Sequence, residues 1–116
     1  MSQNPLDLHA YSEMKDIMEE VLPELLKTFI EYMPDLLNDL NKAIADNEPD
    51  QLFGISHRMK SSSNSLGALG LAKVCESIEM IGRAGGIEGA SELSAQLEEQ
   101  LGEVIEFFEE ELKSQG

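Results

Sequence analysis

Tryptophan is absent from the 116 residues, cysteine occurs once, and aromatic residues of every kind make up 5%. So few large rings argue against an aromatic-rich β-sandwich; six methionines and many leucines suit a core built from helices. A single cysteine, Cys75, excludes an intramolecular disulfide. Between Val74 and Ile78 it reads as a small buried apolar residue, not as a reactive thiol. Long apolar runs are missing as well, and none approaches the roughly 18 residues needed to cross a bilayer. The N-terminus, MSQNPLDLH, lacks the basic flank and apolar stretch of a secretory signal. The expectation is one cytoplasmic domain spanning residues 1–116; its initiating Met1 favours a free-standing protein, with a domain excised from a larger chain as the alternative.

Positive charge is scarce. Eight Lys and Arg face 23 Asp and Glu, for a net charge of −15. Nucleic acid and anionic membrane surfaces are thereby excluded as partners, since both demand clustered cations. The distribution carries more than the total. From Gln51 to Cys75 there is no acid, while Arg58, Lys60 and Lys73 lie inside that window. An acidic chain has kept one neutral-to-basic strip, and His57 sits in it.

Strand signals are nearly missing, and helical periodicity runs almost end to end. A short first helix is predicted from Asp7, its N-cap, to Met18, with Leu8, Tyr11, Met14 and Met18 near one face. A second runs from Leu22 to Ala45, with Pro23 in its first turn and Pro34 placed to kink it. The third covers Pro49 to Leu66, and Gly67 and Gly70 flank the turn that follows. The fourth spans Leu71 to Arg83 and ends at glycines, and the fifth spans Ile87 to Lys113. Connections this short make neighbouring long helices antiparallel. The predicted fold is all-α, an antiparallel up-down four-helix bundle with a short additional N-terminal helix, and a monomer, since no spare apolar seam is left over.

Histidine is the other scarce residue. His9 and His57 are the only two, and no His or Cys ligand spacing occurs, so no metal site is expected. Ser61, Ser62 and Ser63 lack a Ser-x-x-Lys spacing or a glycine-rich elbow, and no phosphate loop or receiver-type aspartate cluster is present.

The third helix carries the chemistry. On a helical wheel Leu52, Ile55, Met59, Ser63 and Leu66 form the core stripe, and His57 lies roughly 150° from its centre. Gly54 and Ser61, one turn before and after His57, are small, and Lys60 and Asn64 flank one side. Such a histidine can be approached closely by a second protein, and Lys60 can pair with an anion formed at the ring. Neutral imidazole is a good nucleophile towards an activated phosphoryl group. Periodicity alone leaves two readings open: a phosphoryl acceptor, or a solvated polar face that includes a histidine and docks a partner without covalent chemistry.

The stretch His57-Arg58-Met59-Lys60-Ser61-Ser62-Ser63-Asn64-Ser65-Leu66-Gly67-Ala68 resembles the signature of histidine-containing phosphotransfer (HPt) domains. His57, Lys60, Ser63, Leu66, Gly67 and Ala68 match by residue and spacing, and the similarity extends to Leu71, Cys75 and Ile78-Glu79. Upstream, Phe29, Pro34, Leu36, Leu37 and Leu40 resemble the family's preceding helix. Met59 stands where the family has leucine, a volume-conserving change. Ser61 stands where it has a glycine that gives a partner clearance.

The resemblance implies a phosphorelay carrier. His57 accepts the phosphoryl group from a receiver-domain phosphoaspartate through Nε2, and Lys60 offsets its charge. Gly54, Arg58, Ser61, Asn64 and Gly67 form the docking set. The implied partners are receiver domains of response regulators and hybrid histidine kinases, a hybrid kinase being also the alternative parent of an excised domain. No cofactor is expected on this chain, and any Mg²⁺ belongs to the receiver.

Overall fold

The computed structural model describes residues 4–115, and every element among them is helical: α1 (Leu8–Ile17), α2 (Leu22–Ala45), α3 (Pro49–Ser65), α4 (Leu69–Arg83) and α5 (Ala90–Gln115). Local chemistry sets most of these boundaries. Asp7 caps α1 by accepting a hydrogen bond from the Ala10 amide at 2.9 Å. Pro23 and Pro49 occupy first turns, where a missing N–H costs nothing. Helix α2 runs through Pro34 without interruption.

Two helix starts differ from the sequence expectation. Helix α4 begins at Leu69, so Gly70 lies inside it and not in the turn. The N-terminal segment explains the glycine. A Cβ at Gly70 would lie 2.3 Å from the Asn4 carbonyl oxygen and 2.8 Å from the Pro5 Cα. The Pro5 carbonyl also accepts from the Leu71 amide at 3.1 Å, tying this segment to the first turn of α4. Helix α5 starts at Ala90, later than Ile87, because Gly89 has φ +85° and holds the preceding residues in a turn.

The four long helices pack in a closed cycle, α2 on α3, α3 on α4, α4 on α5 and α5 on α2, with the α3–α4 seam the most extensive. The expected core stripe of α3 is buried, as are Leu71, Val74 and Ile78 of α4 and Leu97, Leu101, Val104 and Phe108 of α5. Helix α1 is anchored mainly through Tyr11, which stacks on Phe108 at 5.7 Å and meets Phe107 edge-on at 5.3 Å. Its hydroxyl donates to Glu111 at 2.8 Å, and Lys15 donates to the same oxygen at 3.1 Å. Leu8 and Met18, expected on the packed face, are instead exposed, because so short a helix reaches the bundle only near its middle.

Candidate functional site

The α3–α4 seam is close because Gly82 permits it. A Cβ at Gly82 would lie 2.8 Å from both the Phe53 nitrogen and the Pro49 carbonyl oxygen. The helix backbones therefore nearly touch at this level, and one turn away Glu79 of α4 comes directly under His57 of α3. Glu79 is 2% exposed. Its Oε2 accepts from His57 Nδ1 at 2.5 Å, and its Oε1 accepts from Lys60 Nζ at 2.7 Å. Burial pushes the Glu79 carboxyl up, but the hydrogen bonds from Lys60 and His57 outweigh that, and it lies below the ordinary glutamate value. An ionised carboxylate only accepts, so the proton between the two groups belongs to Nδ1. In the neutral ring Nε2 is then the nitrogen with the free lone pair, and among the described residues it has no hydrogen-bond partner.

The His57 side chain is 55% exposed: seated at one edge, open at the other. Phe53, one turn earlier on α3, lies parallel to the imidazole at 6.0 Å and 13°. The Arg83 guanidinium, from the last turn of α4, lies over the Phe53 ring at 5.4 Å. Gly54 leaves open space, and a Cβ added there would meet nothing within 4 Å. Arg58, Ser61 and Asn64 are exposed on the same helix. The Ser61 hydroxyl makes no hydrogen bond to the ring among the described residues.

Two expected site residues are placed differently from the sequence reading. Lys60 does not stand free beside the imidazole; its ammonium is engaged by Glu79 and is 22% exposed. Gly67 is buried and offers no surface to a partner. It has φ +79°, a Cβ there would lie 2.6 Å from the Tyr11 nitrogen, and its carbonyl accepts from the Asp7 amide at 2.9 Å. Gly67 lets α1 close over the α3–α4 turn. Cys75 is fully buried, and desolvation pushes its thiol up to about 12, which makes it a poor nucleophile.

Helical periodicity does not single out Glu79, Phe53 or Arg83. Glu79 does fall at a position of the family resemblance, which gives it no role, and it stands as an acid on the apolar stripe of α4, three residues before a buried glycine. Phe53 stands one turn from His57 on a helix otherwise poor in aromatics, and Arg83 reads simply as the end of a helix.

A helical bundle that presents one histidine, oriented from below by a buried acid and open above, belongs to the class of phosphotransfer modules of two-component signalling. The Hpt domain family model matches residues 24–107, and the chain belongs to that family. It is similar to the crystal structure of histidine-containing phosphotransfer protein B from Pseudomonas aeruginosa PAO1, at 28% identity and TM-score 0.90, over 97% of this chain and 98% of that one. The HPT domain of a sensor hybrid histidine kinase from Shewanella shares the fold, at 15% identity and TM-score 0.79, over 96% of each chain. No curated protein matches the sequence.

Proposed function

We propose that this chain carries phosphoryl groups between receiver domains on Nε2 of His57. The receiver's phosphoaspartate docks over α3, and the Nε2 lone pair attacks phosphorus in line. The N–P bond forms as the P–O bond to the aspartate breaks, and the aspartate leaves as a carboxylate. The ring gains positive character as its lone pair is used, and Glu79 meets it at the Nδ1 proton. Reversal of these steps on a second receiver delivers the group. Lys60 keeps Glu79 ionised, and Gly54, Arg58, Ser61 and Asn64 line the approach. Positioning and electrostatics suffice for such transfers, and any Mg²⁺ is assigned to the receiver's acidic site. With this goes the reading of the four long helices as an antiparallel up-down bundle, which holds α3 rigid beneath the incoming partner.

The observation that carries the proposal is the buried carboxylate on Nδ1 of a half-exposed histidine, which aims the other ring nitrogen at solvent. Incubation with a phosphorylated receiver tests it. Wild type should acquire an acid-labile label, and His57→Gln should acquire none while still binding the receiver. Equal labelling of both proteins would falsify the assignment. Receiver binding with no label on either, even after Ser61→Gly, would favour a docking module without covalent chemistry.

A further inference from the structure

The serines of α3 are not alike. Ser56, Ser63 and Ser65 each turn the hydroxyl back onto a carbonyl one turn earlier, of Leu52 at 2.7 Å, Met59 at 2.8 Å and Ser61 at 2.9 Å. That is the usual local use of a serine inside a helix. Ser61 departs from it. Its carbonyl accepts from Ser65, but its hydroxyl, on an exposed residue, makes no hydrogen bond among the described residues. Ser62 is also unbonded, but it faces the groove against Leu25 and Tyr32 of α2.

Ser61 stands one turn after His57, on the same face of α3. Phe53, one turn before, shows the scale of the spacing. Its ring lies 6.0 Å from the imidazole, which matches the rise of four residues. A helical Cα–Cβ bond tilts towards the N-terminus, so the Ser61 side chain leans back over the turn that holds His57. A rise of about 6 Å keeps its hydroxyl from bonding the ring itself. A phosphoryl group fills such a gap. The N–P and P–O bonds carry an oxygen outward from the ring, and an O–H···O⁻ contact of about 2.5–2.7 Å covers the rest. The other polar side chains of α3 near the ring are spent or misdirected. Lys60 is held by Glu79, Arg58 follows His57 directly and projects about 100° away, and Asn64 lies two turns on.

We propose that the Ser61 hydroxyl donates a hydrogen bond to a phosphoryl oxygen on Nε2 of His57, and so holds the group on this chain. This rests on His57 being the phosphoryl acceptor. The resting hydroxyl faces water and gains a charged acceptor only once the phosphoryl group is in place, so the bond favours the loaded carrier over the empty one. Where the family has a glycine that clears the way for a partner, this chain gives up some clearance and gains a donor.

Phosphoramidate, a small phosphoryl donor, labels the protein without any receiver, so effects on docking drop out. ³¹P NMR then follows the second ionisation of the phosphoryl group. A hydroxyl donor favours the dianion, the stronger acceptor. Ser61→Ala keeps the Cβ and removes only the hydroxyl, and should raise this ionisation by about 0.3, roughly a twofold change in its constant. Ser61→Gly should match it, and Ser61→Thr, which restores the donor, should stay closer to wild type. Ser65→Ala removes a hydroxyl already spent on a carbonyl and should leave the curve in place. A role confined to helix propensity or clearance would leave Ser61→Ala on the wild-type curve. Superimposed curves for wild type and Ser61→Ala would overturn the proposal, as would a Ser61→Thr curve lying on that of Ser61→Ala, or an equal shift in Ser65→Ala. Failure of wild type to label at His57 would remove the carrier reading and this proposal with it, a result distinct from labelling with an unmoved titration.

Discussion

At His57 the chemistry depends on which ring nitrogen is offered, and a residue 22 positions away decides it. Replacing Glu79 by Gln keeps the shape but removes the charge that requires a proton on Nδ1. Phosphoryl transfer from a receiver should fall about 10-fold to 100-fold, measured as an initial rate at saturating receiver. Stability should fall by about 1–3 kcal/mol in urea at neutral pH, because Lys60 loses its partner. The pH dependence has a definite sign. Glu79 is lowered from its ordinary 4.5 in the folded state, so its contribution is present above that value and drains away as pH falls through the folded one. Glu79→Gln should therefore lose less stability than wild type between neutral pH and about pH 3. Gly54 makes the opposite case. Nothing lies within 4 Å of an added Cβ there, so Gly54→Ala should gain about 0.5–1 kcal/mol while slowing transfer from a receiver. Unchanged transfer in Gly54→Ala would show that the partner does not pass over this turn.

At the scale of elements, α3 and α4 act as one unit whose spacing is set by Gly82. Gly82→Ala brings a Cβ to 2.8 Å from backbone atoms that cannot rotate away, so the helices must part. The expected cost is about 1–3 kcal/mol by chemical denaturation, with a lower transfer rate as Glu79 draws back from His57. If transfer is untouched, the Glu79 contact is not needed for chemistry. How far this was legible beforehand depends on the kind of signal. Periodicity over long helices places α2 from Leu22 to Ala45 and the core stripe of α3 correctly, because 3.6-residue repetition is averaged over many turns. It also turns His57 outward. It cannot pair helices side by side, so the acid that reaches His57 from α4, and the ammonium that this acid holds, appear only once the seam is assembled. Gly67 illustrates the same gap: its spacing matches a family motif, but its function here is to admit the Tyr11 backbone.

At the scale of the whole molecule, the charge of −15 is spread over a body with a radius of gyration of 14.2 Å, leaving the face around His57 free of surface acid between Gln51 and Cys75. Self-repulsion of that size opposes folding and is screened by salt. Raising NaCl from about 20 mM, where the Debye length exceeds the molecule's own radius, to about 300 mM should stabilise the fold by about 1 kcal/mol, roughly 4–8 °C in Tm. A fall in Tm over that range would mean that attractive surface pairs, and not repulsion, dominate. Among the described residues no helix is long and apolar enough to cross a membrane.

The central claim is that Glu79 directs the phosphoryl group to one atom. The most direct test is to phosphorylate the protein, with the imidazole nitrogens of His57 labelled by ¹⁵N, and read the site from nitrogen–phosphorus coupling. The account predicts coupling to Nε2, with Nδ1 still carrying its proton towards Glu79. A phosphoryl group on Nδ1, or on any residue other than His57, would contradict it.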